Sequence, residues 1–188
     1  MGNCCTEKIG SQEQKQPEKR WFALRVFFNR VFDVKKILDD DAIENYIPVR
    51  TETRTASDGR KVVVKVPMVS SLLFLKSDKQ YLKNLVFRMR GKLMPYCSPE
   101  THKPAVIPDK EMKIFIFVTS VGDNGMEFIN DEALTYKVGQ KVRITGGLFE
   151  GAEGYIKRIK GNRRLVVRIE GVVAVATSYI PSCFIEKL

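Results

Sequence analysis

The chain has 188 residues, of which 44% are hydrophobic and 29% are charged. Its length allows one domain or two small ones, and its composition supports a buried core, which excludes a globally disordered chain. No apolar run approaches the roughly 20 residues that span a bilayer, and the polar N-terminal region lacks a secretory signal. We therefore expect a cytoplasmic protein that does not bind membranes.

The net charge of +10 is unevenly distributed along the chain. Residues 21–120 contain 18 Lys and Arg against 11 Asp and Glu. Residues 121–135 contain four acids and no base, whereas residues 136–188 contain ten bases and four acids. This pattern predicts two basic modules, separated by an acidic linker, that face polyanions or acidic protein surfaces.

The cysteines and the histidine do not form a recognisable reactive site. Cys4, Cys5, Cys97 and Cys183 include no C-x-x-C pair, and His102 cannot complete a usual zinc set with them. Cys97 and His102 resemble a catalytic thiol pair, but a half-buried cysteine and a loop histidine are favoured because no third group orients them. With no phosphate loop and no nucleophile elbow, the sequence predicts no catalytic residue, no metal, no cofactor and no enzyme.

The N-terminal elements begin after a polar tail, residues 1–19. Trp21–Phe27 is rich in aromatic and β-branched residues and predicts a strand. Asn29 is the predicted cap of a helix that ends at Asp39–Asp41. These three carboxylates would point in different directions from a helix, which argues against a metal site. The helix has apolar positions at the 3.6-residue period: Val31, Val34, Ile37 and Leu38.

A hairpin and a buried strand follow. Tyr46–Arg54 predicts one strand with Pro48 near its start, and Asp58-Gly59 is a strong hairpin turn. Lys61–Val66 then predicts the returning strand. The continuous apolar run Leu72–Leu75 predicts a strand buried on both faces.

Two further helices complete the first module. Asp78 predicts the start of a helix that closes near Gly91 and carries Tyr81, Leu82, Leu85, Val86 and Met89 on one face. Lys110–Thr119 predicts a third helix after Pro108-Asp109, although its Ile114–Val118 run would also fit a strand. Residues 20–120 therefore predict an α+β domain with a mainly antiparallel sheet flanked by helices.

Residues 121–135 predict a linker, and the pattern then changes. Short alternating segments at regular spacing predict a small five-stranded barrel over residues 136–188. Its predicted strands are Gln140–Thr145, Tyr155–Ile159, Leu165–Ile169, Val172–Ala176 and a short one near Phe184.

The segment Val138–Gly154 resembles the KOW motif of NusG-type factors and of some ribosomal proteins, which implies an SH3-like barrel. Gly147, Gly151 and Gly154 fit positions that need positive φ or close backbone contact. We expect Leu148 and Phe149 to plug the barrel end. Gly146 stands where the family commonly has Asp.

Residues 20–120 resemble the NusG N-terminal domain. Trp21–Leu24 is similar to its first strand, and Tyr46–Pro48 is similar to the entry to its second. Pro67–Leu75 aligns with a family segment whose Pro-Gly-Tyr core is replaced here by Ser70-Ser71-Leu72. This departure points to specialised paralogs, of which the UpxY-like antiterminators of polysaccharide operons are the most similar, as residues 161–167 and 174–176 also indicate.

The resemblance implies a monomeric transcription elongation or antitermination factor that binds RNA polymerase and suppresses pausing or termination. The family's clamp-binding pocket would include Met68, Val69, Leu72 and Phe74. Alternation along the strand leaves ordinary core packing as an equal alternative for Leu72 and Phe74.

Other basic and polar residues would meet the rest of the elongation complex. Lys83 and Asn84 correspond to the patch that contacts the opposite lip of the polymerase. Arg25, Arg88 and Arg90 would contact exposed DNA, although a solvated helix face is the alternative for each of them.

The second module would recruit a further partner, such as a ribosomal protein, a termination factor or nascent RNA. Basic residues surround the predicted turn at Gly161-Asn162 and would grip phosphates or an acidic partner. They are Lys157, Arg158, Lys160, Arg163 and Arg164.

Two alternative functions stay open. One is a KOW-type RNA-binding protein that is associated with translation and does not bind polymerase. The other is a membrane-associated adaptor, because Met1–Thr6 matches an N-myristoylation pattern with cysteines available for palmitoylation.

Overall fold

A computed structural model describes residues 18–121, 125–129 and 139–188. The predictions for the remaining positions lie outside the described residues; these cover most of the tail, including Met1–Thr6, and parts of the linker. The N-terminal module, residues 18–121, contains β1 (Arg20–Val26), α1 (Val31–Asp40), β2 (Glu44–Tyr46), β3 (Val49–Thr55), β4 (Lys61–Pro67), β5 (Leu72–Ser77), α2 (Lys79–Arg88), β6 (Leu93–Pro95) and α3 (Asp109–Ser120).

A four-stranded antiparallel sheet in the order β2-β5-β1-β6 forms the centre of the N-terminal module. Because side chains alternate along a strand, β1 and β5 have two apolar faces. Phe22, Leu24, Leu73 and Leu75 pack on one face against α1 and α2. The other face packs against α3. This arrangement confirms the predicted α+β class, with helices on both sides of the sheet.

The predicted strand Tyr46–Arg54 is divided in two, which corrects that prediction. β2 pairs with β5 in the main sheet, whereas β3 pairs with β4 in a separate two-stranded ribbon. The division falls at Ile47-Pro48, and proline has no N–H to donate to a ladder. The predicted ribbon turn is confirmed, since Gly59 adopts a φ of 80°.

The helix caps fulfil the predictions only in part. Asp78 accepts a hydrogen bond from the Tyr81 backbone N–H at 2.8 Å, so the predicted cap of α2 is confirmed. Asn29 does not cap α1: its φ is 54°, and the N-cap position is occupied by Arg30, which makes no side-chain cap bond. The left-handed turn at Phe28-Asn29 directs the chain into α1 instead. Residues 109–120 form a helix, which excludes the strand alternative.

The C-terminal module comprises residues 139–188 together with a strand from the predicted linker. All five predicted strands are present, and a strand in residues 127–129 adds a sixth that the sequence did not predict. They pair in the antiparallel order β12-β8-β9-β10-β11-β7. The strands are β7 (Glu127–Ile129), β8 (Lys141–Ile144), β9 (Glu153–Ile159), β10 (Asn162–Ile169), β11 (Val173–Tyr179) and β12 (Ile185–Lys187).

The two modules meet at α3. One buried cluster contains Phe74 and Phe115 of the first module together with Leu165 and Val167 of the second. Lys110 on α3 also forms an ion pair of 2.8 Å with Glu153 on β9. The C-terminal module therefore docks on the helix that covers the sheet.

Among the described residues, no helix is both long enough and apolar enough to cross a membrane.

Candidate functional site

Cys97 and His102, the residues that suggested catalysis, lie on one loop after β6. Cys97 is exposed rather than half-buried, because it lies on the loop after β6, where its Sγ donates to the Pro95 carbonyl oxygen at 3.7 Å. His102 lies on the same loop with a φ of 53°. In the part of the chain that the structure describes, no group of three His, Cys, Asp or Glu side chains is placed to hold a metal ion.

The acidic run at the end of α1 forms two separate contacts. Asp39 accepts hydrogen bonds from Lys35 and Asn45. Both bonds lower the pKa of its carboxyl group, and the bond from Lys35 has the larger effect. Asp41 accepts from Tyr81 at 2.6 Å and from Arg88 at 2.8 Å, and both bonds lower its pKa. These carboxylates join α1 to its neighbours and do not converge on one point.

The segment predicted to bind the polymerase clamp lies partly beneath α3. Leu72 and Phe74 are buried, and the Phe74 ring lies 5.3 Å from the Phe115 ring of α3 between centroids. Met68 and Val69, which precede β5, are half-buried. Of these four residues, Met68 and Val69 can contact a partner directly in this conformation, whereas Leu72 and Phe74 support them from within the core.

The predicted lip and DNA residues do not form one surface. Lys83, Asn84 and Arg90 line a shallow depression on the outer side of α2 beside Phe87. Arg88 instead forms an ion pair with Asp41.

Arg25 lies on the opposite side of the sheet from α2. It shares the β1 face of Trp21 and Ala23, which belong to the cluster beneath α3, and its guanidinium lies 5.7 Å from the Phe27 ring centroid. A single nucleic-acid strand would therefore have to pass round the edge of the sheet to touch Arg25 and Arg90 together.

The KOW-like turn has the geometry that its glycines predict. Gly147 and Gly151 have φ values of 81° and 84°. A Cβ on Gly154 would lie 2.6 Å from the Val166 carbonyl oxygen, so only glycine allows this approach of β9 and β10. Phe149 is buried, but Leu148 is 70% exposed and does not plug the barrel, because its side chain leaves the turn on the solvent side.

Four of the five basic residues predicted around Gly161 divide into two groups. Lys160 bonds to Glu127 at 2.9 Å, and Arg164 is largely buried beside the same carboxylate. Arg158 and Arg163 form a directly opposed cross-strand pair. Opposed like charges repel, so an anion between them would relieve the repulsion.

Two residues of these surfaces were missed from the sequence. Glu127 was assigned to the linker, and its position beside Lys160 depends on the pairing of β7 with β11, which no local pattern reveals. Phe87 is 68% exposed on α2 and holds the Arg90 guanidinium 4.7 Å from its ring centroid. The sequence could have revealed Phe87, because this residue lies outside the apolar face predicted for α2.

Comparison with known proteins gives one family. The profile of the NusG family, described as transcription termination factor nusG, matches residues 19–116. No curated protein gave a significant match. Among solved structures, one of NusG from Thermotoga maritima, described by its domain interaction, is similar at 18% identity with a TM-score of 0.48, covering 91% of this chain and 98% of that chain.

Proposed function

Because the chain belongs to the NusG family of transcription factors, whose members bind RNA polymerase, we propose that it is an elongation factor of the antitermination type. It acts without making or breaking bonds, by binding the elongating conformation of the polymerase more tightly than the paused one. The observation that carries the proposal is the extent of the family match, which runs from β1 into α3 and so includes the whole central sheet.

The clamp of the polymerase binds beside the start of β5. Met68 and Val69 are apolar, half-buried and next to the loop that enters this strand. Leu72 and Phe74 fix the shape of the surface from beneath, where they pack with α3. Ser70-Ser71-Leu72 gives this surface a chemistry that differs from the family's usual Pro-Gly-Tyr, and on that ground we place the chain among specialised, UpxY-like paralogs.

A second contact uses the outer side of α2. Lys83, Asn84 and Arg90 lie together there, and their hydrogen-bond donors suit the opposite lip of the polymerase or DNA phosphates. Arg25 and Arg88 make weaker contributions, since Arg88 is already paired with Asp41 and Arg25 lies across the sheet.

The C-terminal module recruits RNA or an acidic protein through Arg158 and Arg163. Their opposed guanidinium groups favour an anionic ligand, whereas Lys160 and Arg164 are partly neutralised by Glu127. The same pair would serve a translation-associated RNA-binding protein, so polymerase binding is the measurement that separates the two functions.

The test is capture of reconstituted bacterial elongation complexes by the full chain, with the rate of escape from a defined pause as a second readout. We expect Met68→Glu and Val69→Glu each to weaken capture by roughly tenfold or more, the effect of placing a charge in an apolar contact. Leu148→Glu, at an exposed apolar residue of the other module, is the matched control and should bind normally. A wild-type chain that ignores polymerase but binds RNA would establish the translation-associated alternative.

A further inference from the structure

An apolar groove lies on the side of the sheet away from α3. It encloses about 610 Å³ between α2 and the loop that follows β6. Phe22 and Leu82 form its buried floor, and Val86 and Val106 border it with partly exposed side chains. The lip or DNA surface proposed above shares Lys83 and Val86 with this groove, whereas the clamp and RNA surfaces do not include it.

The groove is preformed by a braced loop. Ser98 donates its backbone N–H to the Lys103 carbonyl oxygen at 2.9 Å, and Ala105 donates to Tyr96 at 2.9 Å. The same loop is tied to β1, because the Tyr96 N–H donates to the Ala23 carbonyl oxygen at 3.0 Å. A wall fixed in this way requires little ordering when a ligand binds, which favours affinity.

The charged side chains that line the groove are all lysines. Lys79 and Lys83 extend from α2 on one side, and Lys103 extends from the loop on the other. None of these three ammonium groups forms an ion pair within the described ranges, and no carboxylate is among the residues that line the groove. Lys79 also lies near Glu18 and Asp78, but Glu18 pairs with Arg20 and Asp78 is the N-cap of α2.

From the apolar floor and the lysine rim we infer that this groove binds a short acidic peptide segment of a partner protein, with a Leu or Phe side chain as its anchor. The anchor enters between Leu82 and Val106, and flanking Asp or Glu side chains meet Lys79, Lys83 and Lys103. A nucleic acid fits less well, because the floor offers aliphatic side chains and a buried Phe22 rather than an exposed aromatic ring for a base to stack on.

The probe is a fluorescein-labelled peptide, Asp-Glu-Asp-Leu-Asp-Ser-Phe-Glu-Asp-Asp, titrated with the full chain by fluorescence anisotropy. We expect saturable binding that weakens as salt is raised. Replacing every Asp and Glu of the peptide by Asn and Gln should weaken binding severalfold. Equal binding of the two peptides, or no binding of the acidic one, would overturn the inference.

Single-residue variants test whether the peptide binds in the groove. Val106→Asp should weaken binding by roughly tenfold or more, as expected when an interface anchor point is lost. Lys103→Glu should weaken it by about threefold and flatten its salt dependence. Phe28→Asp, at an apolar side chain that is 78% exposed outside the groove, is the matched control.

Two outcomes would overturn the inference. If Val106→Asp binds the acidic peptide as tightly as the wild type, while thermal melting shows both to be folded, the groove is not the site and the inference is wrong. If a ten-nucleotide oligouridine displaces the peptide more effectively than unlabelled peptide does, the surface is a nucleic-acid site instead. Neither result depends on polymerase binding, so the inference stands or fails separately from the proposed function.

Discussion

At the scale of single residues, the glycines of the C-terminal module show how one missing Cβ sets a contact. Gly146 stands where the family commonly has Asp, and a Cβ at this position would lie 2.9 Å from the ring of Phe184. That ring comes from the turn before β12, so the substitution and the aromatic residue belong to one packing arrangement. The sequence presents the two residues 38 positions apart, which hides their relation.

Gly154→Ala is expected to destabilise the C-terminal module by ~2–3 kcal/mol, because the new Cβ would overlap the Val166 carbonyl oxygen and force β9 and β10 apart. Urea denaturation followed by circular dichroism measures this loss. Gly171→Ala is the matched control, since its Cβ would meet nothing within 4 Å and only its φ of 70° is unfavourable, at about 1 kcal/mol. Equal losses for the two variants would show that close backbone contact is not what requires Gly154.

Residue types alone predicted some of these positions and not others. Phe149 and Leu148 are neighbours of similar hydrophobicity, and only the direction in which the turn leaves the sheet buries one and exposes the other. Asn29 was predicted as a cap because asparagine favours that role, but asparagine also tolerates the left-handed conformation that it adopts here. A residue with two favourable roles cannot be assigned without its tertiary surroundings.

At the scale of elements, the predictions succeeded where a segment's own pattern determines its structure. The apolar periods identified α1, α2 and β5, and the turn residues identified the ribbon. β6 and β7 were missed because each is a three-residue strand that exists only through its partner, β1 or β11. The division between β2 and β3 was missed because Pro48, predicted near the start of one strand, instead interrupts the segment.

Asp78→Ala should destabilise the protein by about 1 kcal/mol, because it removes the acceptor for the Tyr81 backbone N–H in the first turn of α2. Thermal unfolding of the full chain measures the effect. Asp78→Ser is the informative control: serine also accepts this bond, so stability should largely return. If serine is as destabilising as alanine, the role of Asp78 is not capping.

At the scale of the whole molecule, α3 is the element on which both modules depend. Its buried residues Met112 and Phe115 pack with the central sheet, and the cluster continues into β10 of the C-terminal module. Outside the apolar contact, Lys110 and Arg143 bond to Glu153 and lower the pKa of that carboxyl group. The sequence predicted both modules, but it gave no sign of this docking, because the contact joins residues that are far apart in the chain.

Lys110→Glu should weaken the docking of the two modules by about 1 kcal/mol, since it replaces an attraction to Glu153 by a repulsion at a partly exposed site. Small-angle X-ray scattering at low salt should show a larger radius of gyration than in the wild type. Lys113→Glu, on the exposed part of the same helix, controls for the change in net charge. A larger radius in both variants would attribute the opening to charge alone.

Because α3 packs against the central sheet and also against β10, we expect the stabilities of the two modules to be coupled. Unfolding of the C-terminal strands would expose Ile114 and neighbouring apolar residues of α3, and unfolding of the sheet would expose the opposite side of the same helix. We therefore expect unfolding that starts in either module to destabilise the other, so that calorimetry of the full chain records a single transition.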